Sequence, residues 1–126
     1  MRFALRLVVV ALVAVLAACA HHLDQPRDYM VYFDTDSATL TSDGHRIIAT
    51  AASTAHDLSP SKILVAGRAD GSTAHDATLA DQRATAVIQA LAQQGIGADK
   101  LEKQPDAPPS NRTGVAAHMV VITLLP

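Results

Sequence analysis

The chain has 126 residues, enough for about one domain, and its ten Lys and Arg against twelve Asp and Glu leave a net charge of −2. That balance, with aromatics at 3% and no Trp, excludes the basic face and stacking platform that nucleic-acid binding uses. A single cysteine excludes a disulfide framework, and no Cys/His cluster has zinc spacing.

Residues 1–18 read as an export signal. Arg2 and Arg6 make a basic start without acids, Leu7 to Leu16 is an unbroken apolar run, and small residues follow. The run is shorter than the roughly 20 apolar residues of a comfortable membrane span; an uncleaved anchor helix is the alternative. Leu16-Ala17-Ala18-Cys19 resembles the bacterial lipobox, which implies that the Cys19 thiol is acylated and that Cys19 becomes the first mature residue. Several acyl chains on Cys19 give a stable membrane anchor, each buried CH₂ adding about 0.8 kcal/mol. Ala20 stands where aspartate marks inner-membrane retention, so the resemblance implies the outer membrane. Without Arg2 and Arg6, eight Lys and Arg remain against twelve acids, a net charge of −4. Such a surface is not drawn to anionic lipid.

Residues 19–28 form the lipidated Cys19 and a short polar tether, which can span roughly 30 Å at full extension. His21 and His22 lack a third ligand for a metal and read as solvated linker. The folded domain covers residues 29–126. Tyr29 to Phe33 predicts a strand, and Asp34-Thr35-Asp36-Ser37 is turn chemistry. Thr41 to Gly44 offers N-cap residues for a helix carrying Ile47, Ile48, Ala51, Ala55 and Leu58, which Ser59-Pro60 ends. Lys62 to Gly67 predicts a buried strand, followed by a loop over residues 68–72. A second helix is expected from about Asp76 to Gln94, with Gly95 closing it. Ile96 to Glu102 leads into a weak strand, residues 106–114 read as a loop, and Val115 to Leu125 predicts the last strand. Asn111-Arg112-Thr113 fits a glycosylation acceptor but reads as part of that loop. The order predicts an α/β sandwich, a mixed sheet with helices packed on it.

Three ordered motifs carry a resemblance. Phe33 to Thr41, Leu64 to Ser72 and Leu79 to Val87 resemble the three motifs of the OmpA-like C-terminal domain family, of the peptidoglycan-associated lipoprotein type. The resemblance implies non-covalent binding of peptidoglycan through diaminopimelate of the stem peptide, with no cofactor. It implies that Asp70 takes the ammonium of the diaminopimelate end and that Arg83 forks onto its carboxylate. Asp34 lines the same pocket, and Asp76 replaces an asparagine of the family. Arginine suits the role because its planar donors meet two carboxylate oxygens at once. Read without the motifs, Asp70 is a turn residue, Arg83 a surface ion-pair partner of Asp81 or Asp76, Asp34 a turn cap and Asp76 a helix N-cap. Asp70→Ala and Arg83→Ala are both expected to spare the fold.

The last third departs from the pattern. Ala117, His118 and Met119 stand where the family has an Asn-Arg-Arg run, the preceding loop lacks its Gly-Glu element, and Arg68-Ala69 replaces His-Thr. His118 reads as a solvent-facing strand residue or a weak substitute for a lost arginine. Two functions follow. One is an outer-membrane lipoprotein tethering membrane to wall; the other is a degenerate OmpA-like module that serves an envelope assembly, with protein partners but without the wall ligand. Catalysis is not expected. Ser72, His75 and Asp76 share a loop too simple to fix a triad, and no phosphate-binding glycine loop is present. A periplasmic hydrolase is the remaining alternative.

Overall fold

The computed structural model describes residues 25–68, 74–105 and 117–126. Six elements follow in order: β1 (Arg27–Tyr32), α1 (Ser42–Leu58), β2 (Lys62–Gly67), α2 (Ala74–Gln93), β3 (Leu101–Gln104) and β4 (Met119–Leu125). The strands form one sheet in the order β1-β4-β2-β3. β4 pairs antiparallel with both β1 and β2, and β3 joins β2 in parallel. The last strand in the chain is thus an inner strand. Along it burial alternates, with Val120, Ile122 and Leu124 buried on the helix side and Val121, Thr123 and Leu125 half-buried on the other face.

Both helices pack on one face of the sheet, with Val31, Ile63, Val65, Val120, Ile122 and Leu124 facing Ile48, Val87 and Leu91. Alanines fill the rest of the helix faces, Ala51, Ala52 and Ala55 on α1 and Ala84 and Ala90 on α2. Small side chains let the layers approach closely, which is how a core with few aromatics reaches native density. The two backbones come close at Gly67. A Cβ there would fall on the Ala80 carbonyl oxygen, well inside contact distance.

The helix ends follow local chemistry. Thr41 caps α1, its Oγ1 accepting from the Gly44 amide at 3.0 Å. Ser59 closes α1 in a left-handed conformation, its amide donating to the Ala55 carbonyl. Beyond α2, the Gly95 amide donates to Ala92 and the Ile96 amide to Leu91. Gly95 has φ +86°, so this is the double-bonded C-terminal cap that favours glycine.

The expected mixed α/β sandwich is what forms. β2 has the predicted bounds, β1 begins two residues earlier, and α2 begins at Ala74 rather than Asp76. Asp76 is therefore in the first helical turn and is not the N-cap. β4 starts at Met119 rather than Val115; residues 115 and 116 lie outside the described residues. His118 is half-buried just before β4, where its carbonyl accepts from the Phe33 amide at 2.8 Å, so it is not a solvent-facing strand residue.

Because the Gly67–Ala80 approach is between two backbones, no rotamer change relieves it. Gly67→Ala should lower stability by about 1–3 kcal/mol, read as a lower denaturant midpoint. An unchanged midpoint would contradict the close packing.

Candidate functional site

The site lies at the end of the sheet where β1 and β2 finish. β1 gives way to Phe33, which is buried, and then to a turn in which the Ser37 amide donates to the Asp34 carbonyl at 3.2 Å. Asp36 sits inside that turn with φ +54°. Aspartate tolerates this left-handed region better than most residues because its short side chain bonds locally.

Arg83 comes from the middle of α2 and is 2% exposed, the single charged residue in the core among the described residues. A buried guanidinium is costly unless its donors are met. Its Nε donates to the Ser37 carbonyl at 2.7 Å and its Nη2 to the Asp34 carbonyl at 3.1 Å. Those two bonds use one planar edge of the fork. The Phe33 ring lies beneath, with its centroid 5.5 Å from Cζ, within cation–π range. Burial lowers the pKa of Arg83, while the charges of Asp36 and then Asp76 oppose that shift. Asp76 lies seven residues, about two turns, before Arg83, hence on the same side of α2. The guanidinium stays charged at any physiological pH. A base whose pKa is lowered by folding loses stability as pH falls from the unfolded to the folded pKa and carries a constant cost below both, so this group contributes no pH dependence near neutrality.

The expected site residues are partly assembled here. Arg83 and Asp34 meet, but through the Asp34 main chain; the Asp34 side chain is exposed. Asp34 also lines a cavity of about 330 Å³ at the start of α1, with Phe33, Thr41 and Gly44. Asp76 is half-buried and acts on Arg83 electrostatically. Asp70 and Cys19 lie outside the described residues. The reading of Arg83 as a surface partner of Asp81 does not hold. Asp81 instead pairs with Lys103 of β3 at 2.6 Å, beside a cavity of about 400 Å³ between α2 and β3. Asp36 and Ser37 are not legible in the sequence as partners of Arg83; the Asp-Thr-Asp-Ser segment reads there only as a turn.

One further group stands out. Arg68 follows β2, and its amide continues the ladder to the Met119 carbonyl. Its Nε is buried without a hydrogen bond. An unmet buried donor costs about 1–3 kcal/mol.

Because Arg83 carries the turn, its loss is structural as well as chemical. Contrary to the expectation from sequence, Arg83→Ala should not spare the fold. Arg83→Met, which keeps an apolar stem, leaves two carbonyls unmet and should cost roughly 2–4 kcal/mol, seen in denaturant unfolding. Stability equal to that of the unmodified chain would contradict the anchoring role.

Residues 32–115 match the model of the OmpA family. No curated protein sequence gives a significant match. Among solved structures, an OmpA-like domain from Francisella tularensis superposes with TM-score 0.67 at 20% identity, over 79% of this chain and 71% of that one. The peptidoglycan-associated lipoprotein from Burkholderia pseudomallei superposes with TM-score 0.62 at 22% identity, over 78% of this chain and 90% of that one. A periplasmic domain of MotB from Helicobacter pylori gives TM-score 0.64 at 20% identity, over 81% and 77%. At these identities the likeness concerns the fold. Family match and architecture agree: the chain belongs to the OmpA family.

Proposed function

We propose that this domain grips peptidoglycan non-covalently through the free end of diaminopimelate, and that acylated Cys19 ties it to the outer membrane. The observation that carries the reading is Arg83, a guanidinium held rigid at the sheet end by two backbone carbonyls. The free end of diaminopimelate is a zwitterion, an ammonium and a carboxylate on one carbon. Its carboxylate needs a fixed fork of donors. The guanidinium edge opposite the turn, Nη1 with the second Nη2 hydrogen, has that geometry. Its ammonium needs an acid. Asp70, three residues beyond the end of β2, is the family's acid at that position. Charge-assisted bonds at both ends give a grip that is specific and reversible, since each contributes only roughly 1.5–3 kcal/mol. No bond is made or broken, so no catalytic group is required.

One observation favours a second reading. Arg83 is 2% exposed and already serves the turn between β1 and α1. A module in which Arg83 is only a strut would keep the fold and lack the wall ligand, serving an envelope assembly through other surfaces.

Co-sedimentation of the full chain with purified cell-wall sacculi separates the two. Asp70 rather than Arg83 is the variant to use, because Arg83 also supports the fold. The unmodified chain should sediment with the sacculi, and Asp70→Ala should remain in solution with an unchanged unfolding midpoint. Failure of the unmodified chain to sediment, or equal retention of both, would overturn the assignment.

A further inference from the structure

We propose that the free edge of β1 is a docking site for an extended peptide segment of another protein, which joins the sheet as one more strand; the proposal stands apart from the peptidoglycan reading. β1 is an outer strand. The Phe33 amide donates to the His118 carbonyl, so along this ladder the odd-numbered residues turn their main-chain groups to β4. Asp28, Met30 and Tyr32 therefore aim their amides and carbonyls away from the sheet, where no partner stands among the described residues. The opposite edge is blunted, because β3 has four residues with Glu102 and Lys103 at its centre. β1 has six, carries charge only at Arg27 and Asp28, and leaves Met30 46% and Tyr32 42% exposed. An edge open in this way is a template for a further strand.

α1 turns this edge into a groove. It stands over β1: the Tyr29 hydroxyl donates to Thr54 Oγ1 at 2.8 Å, and a Cβ at Gly44 would meet Val31 at 3.3 Å. Two cavities open between strand and helix, one of about 370 Å³ beside Tyr29 and Thr50 and one of about 330 Å³ beside Phe33 and Gly44, and half-buried Ile47 lines both. A strand laid along β1 sends alternate side chains under α1 into these cavities and the others toward Met30 and Tyr32. Small apolar residues suit the helix side. Charge sets the direction. Exposed Arg27 stands at one end of the edge and exposed Asp34 at the other. A peptide in the more stable antiparallel pairing therefore wants a base near its N-terminus and an acid near its C-terminus. A second copy of this chain does not fit. Paired antiparallel, it would bring its own α1 over its own β1, about 4.8 Å away. Helix axes pack at about 8–10 Å. The occupant is a bare strand.

The test titrates the full chain with the end-blocked peptide Lys-Thr-Val-Thr-Val-Thr-Glu, read by calorimetry. Its central Thr stands opposite Met30 and gives its amide to β1, while the amide of the Val before it points to solvent. The unmodified chain should bind this peptide. N-methylation of the central Thr should weaken binding roughly tenfold or more, as loss of a ladder bond implies, and N-methylation of the preceding Val should leave it within about twofold. Met30→Pro removes an outward amide and none of those that bond β4, so the fold should remain, with its unfolding transition, while peptide binding is lost. No binding by the unmodified chain would overturn the proposal, as would methylations that act equally or in the reverse order; neither result depends on how a variant folds. Binding kept by folded Met30→Pro would overturn it too. So would a dimer of the unmodified chain that Met30→Pro abolishes, which would give the edge to a second copy.

Discussion

A guanidinium buried in a protein core must find acceptors, and here they are main-chain carbonyls. Arg83 reaches from α2 to the carbonyls of Asp34 and Ser37 and rests on Phe33. That contact joins residues 46 and 49 positions apart in sequence. It ties the middle of the second helix to the turn that leaves the first strand. Carbonyl acceptors carry no net charge, and among the described residues the charges of Asp36 and then Asp76 act on Arg83 electrostatically. A charged group held by fixed acceptors keeps its field in one place, because the side chain cannot wander.

The rest of the architecture holds that contact in place. β4 crosses the whole chain length to lie between β1 and β2, so the ends of those two strands, where the site stands, are set by one shared neighbour. The His118 carbonyl pins Phe33 and the Met119 carbonyl pins Arg68, one on each side of β4. Gly67 brings α2 against β2 at the same end. Backbone contacts of this kind do not relax by rotamer change, so the separation between the sheet end and Arg83 is stiff. The residues at the start of β4 thus act on this end of the sheet through their backbone.

Much of this was legible in the sequence because it is local. The bounds of β2, the Thr41 cap, the stop at Ser59-Pro60 and the Gly95 cap depend on neighbours a few residues away, and each formed where local chemistry expects it. What sequence did not reveal depends on distant partners. An arginine two residues after an aspartate looks solvent-facing, yet Lys103 of β3 takes Asp81 and leaves Arg83 to the core. Asp34 draws attention for its carboxylate, whereas its carbonyl makes the contact. Asp76 looks like a cap because its side chain suits one, but the helix begins two residues before it. The start of β4 depends on pairing with β1 and β2, which an apolar run alone does not delimit.

The central claim is that Arg83 is both anchored and charged at the sheet end, ready for a carboxylate. The arginine Nε–H signal in a nitrogen–proton spectrum, assigned by its disappearance in Arg83→Lys, reads this directly. The account predicts a signal that exchanges slowly with water, because its hydrogen is held by the Ser37 carbonyl, and that shifts as free diaminopimelate is added. A signal that exchanges as fast as a surface arginine, or one that stays still at saturating diaminopimelate, would contradict it.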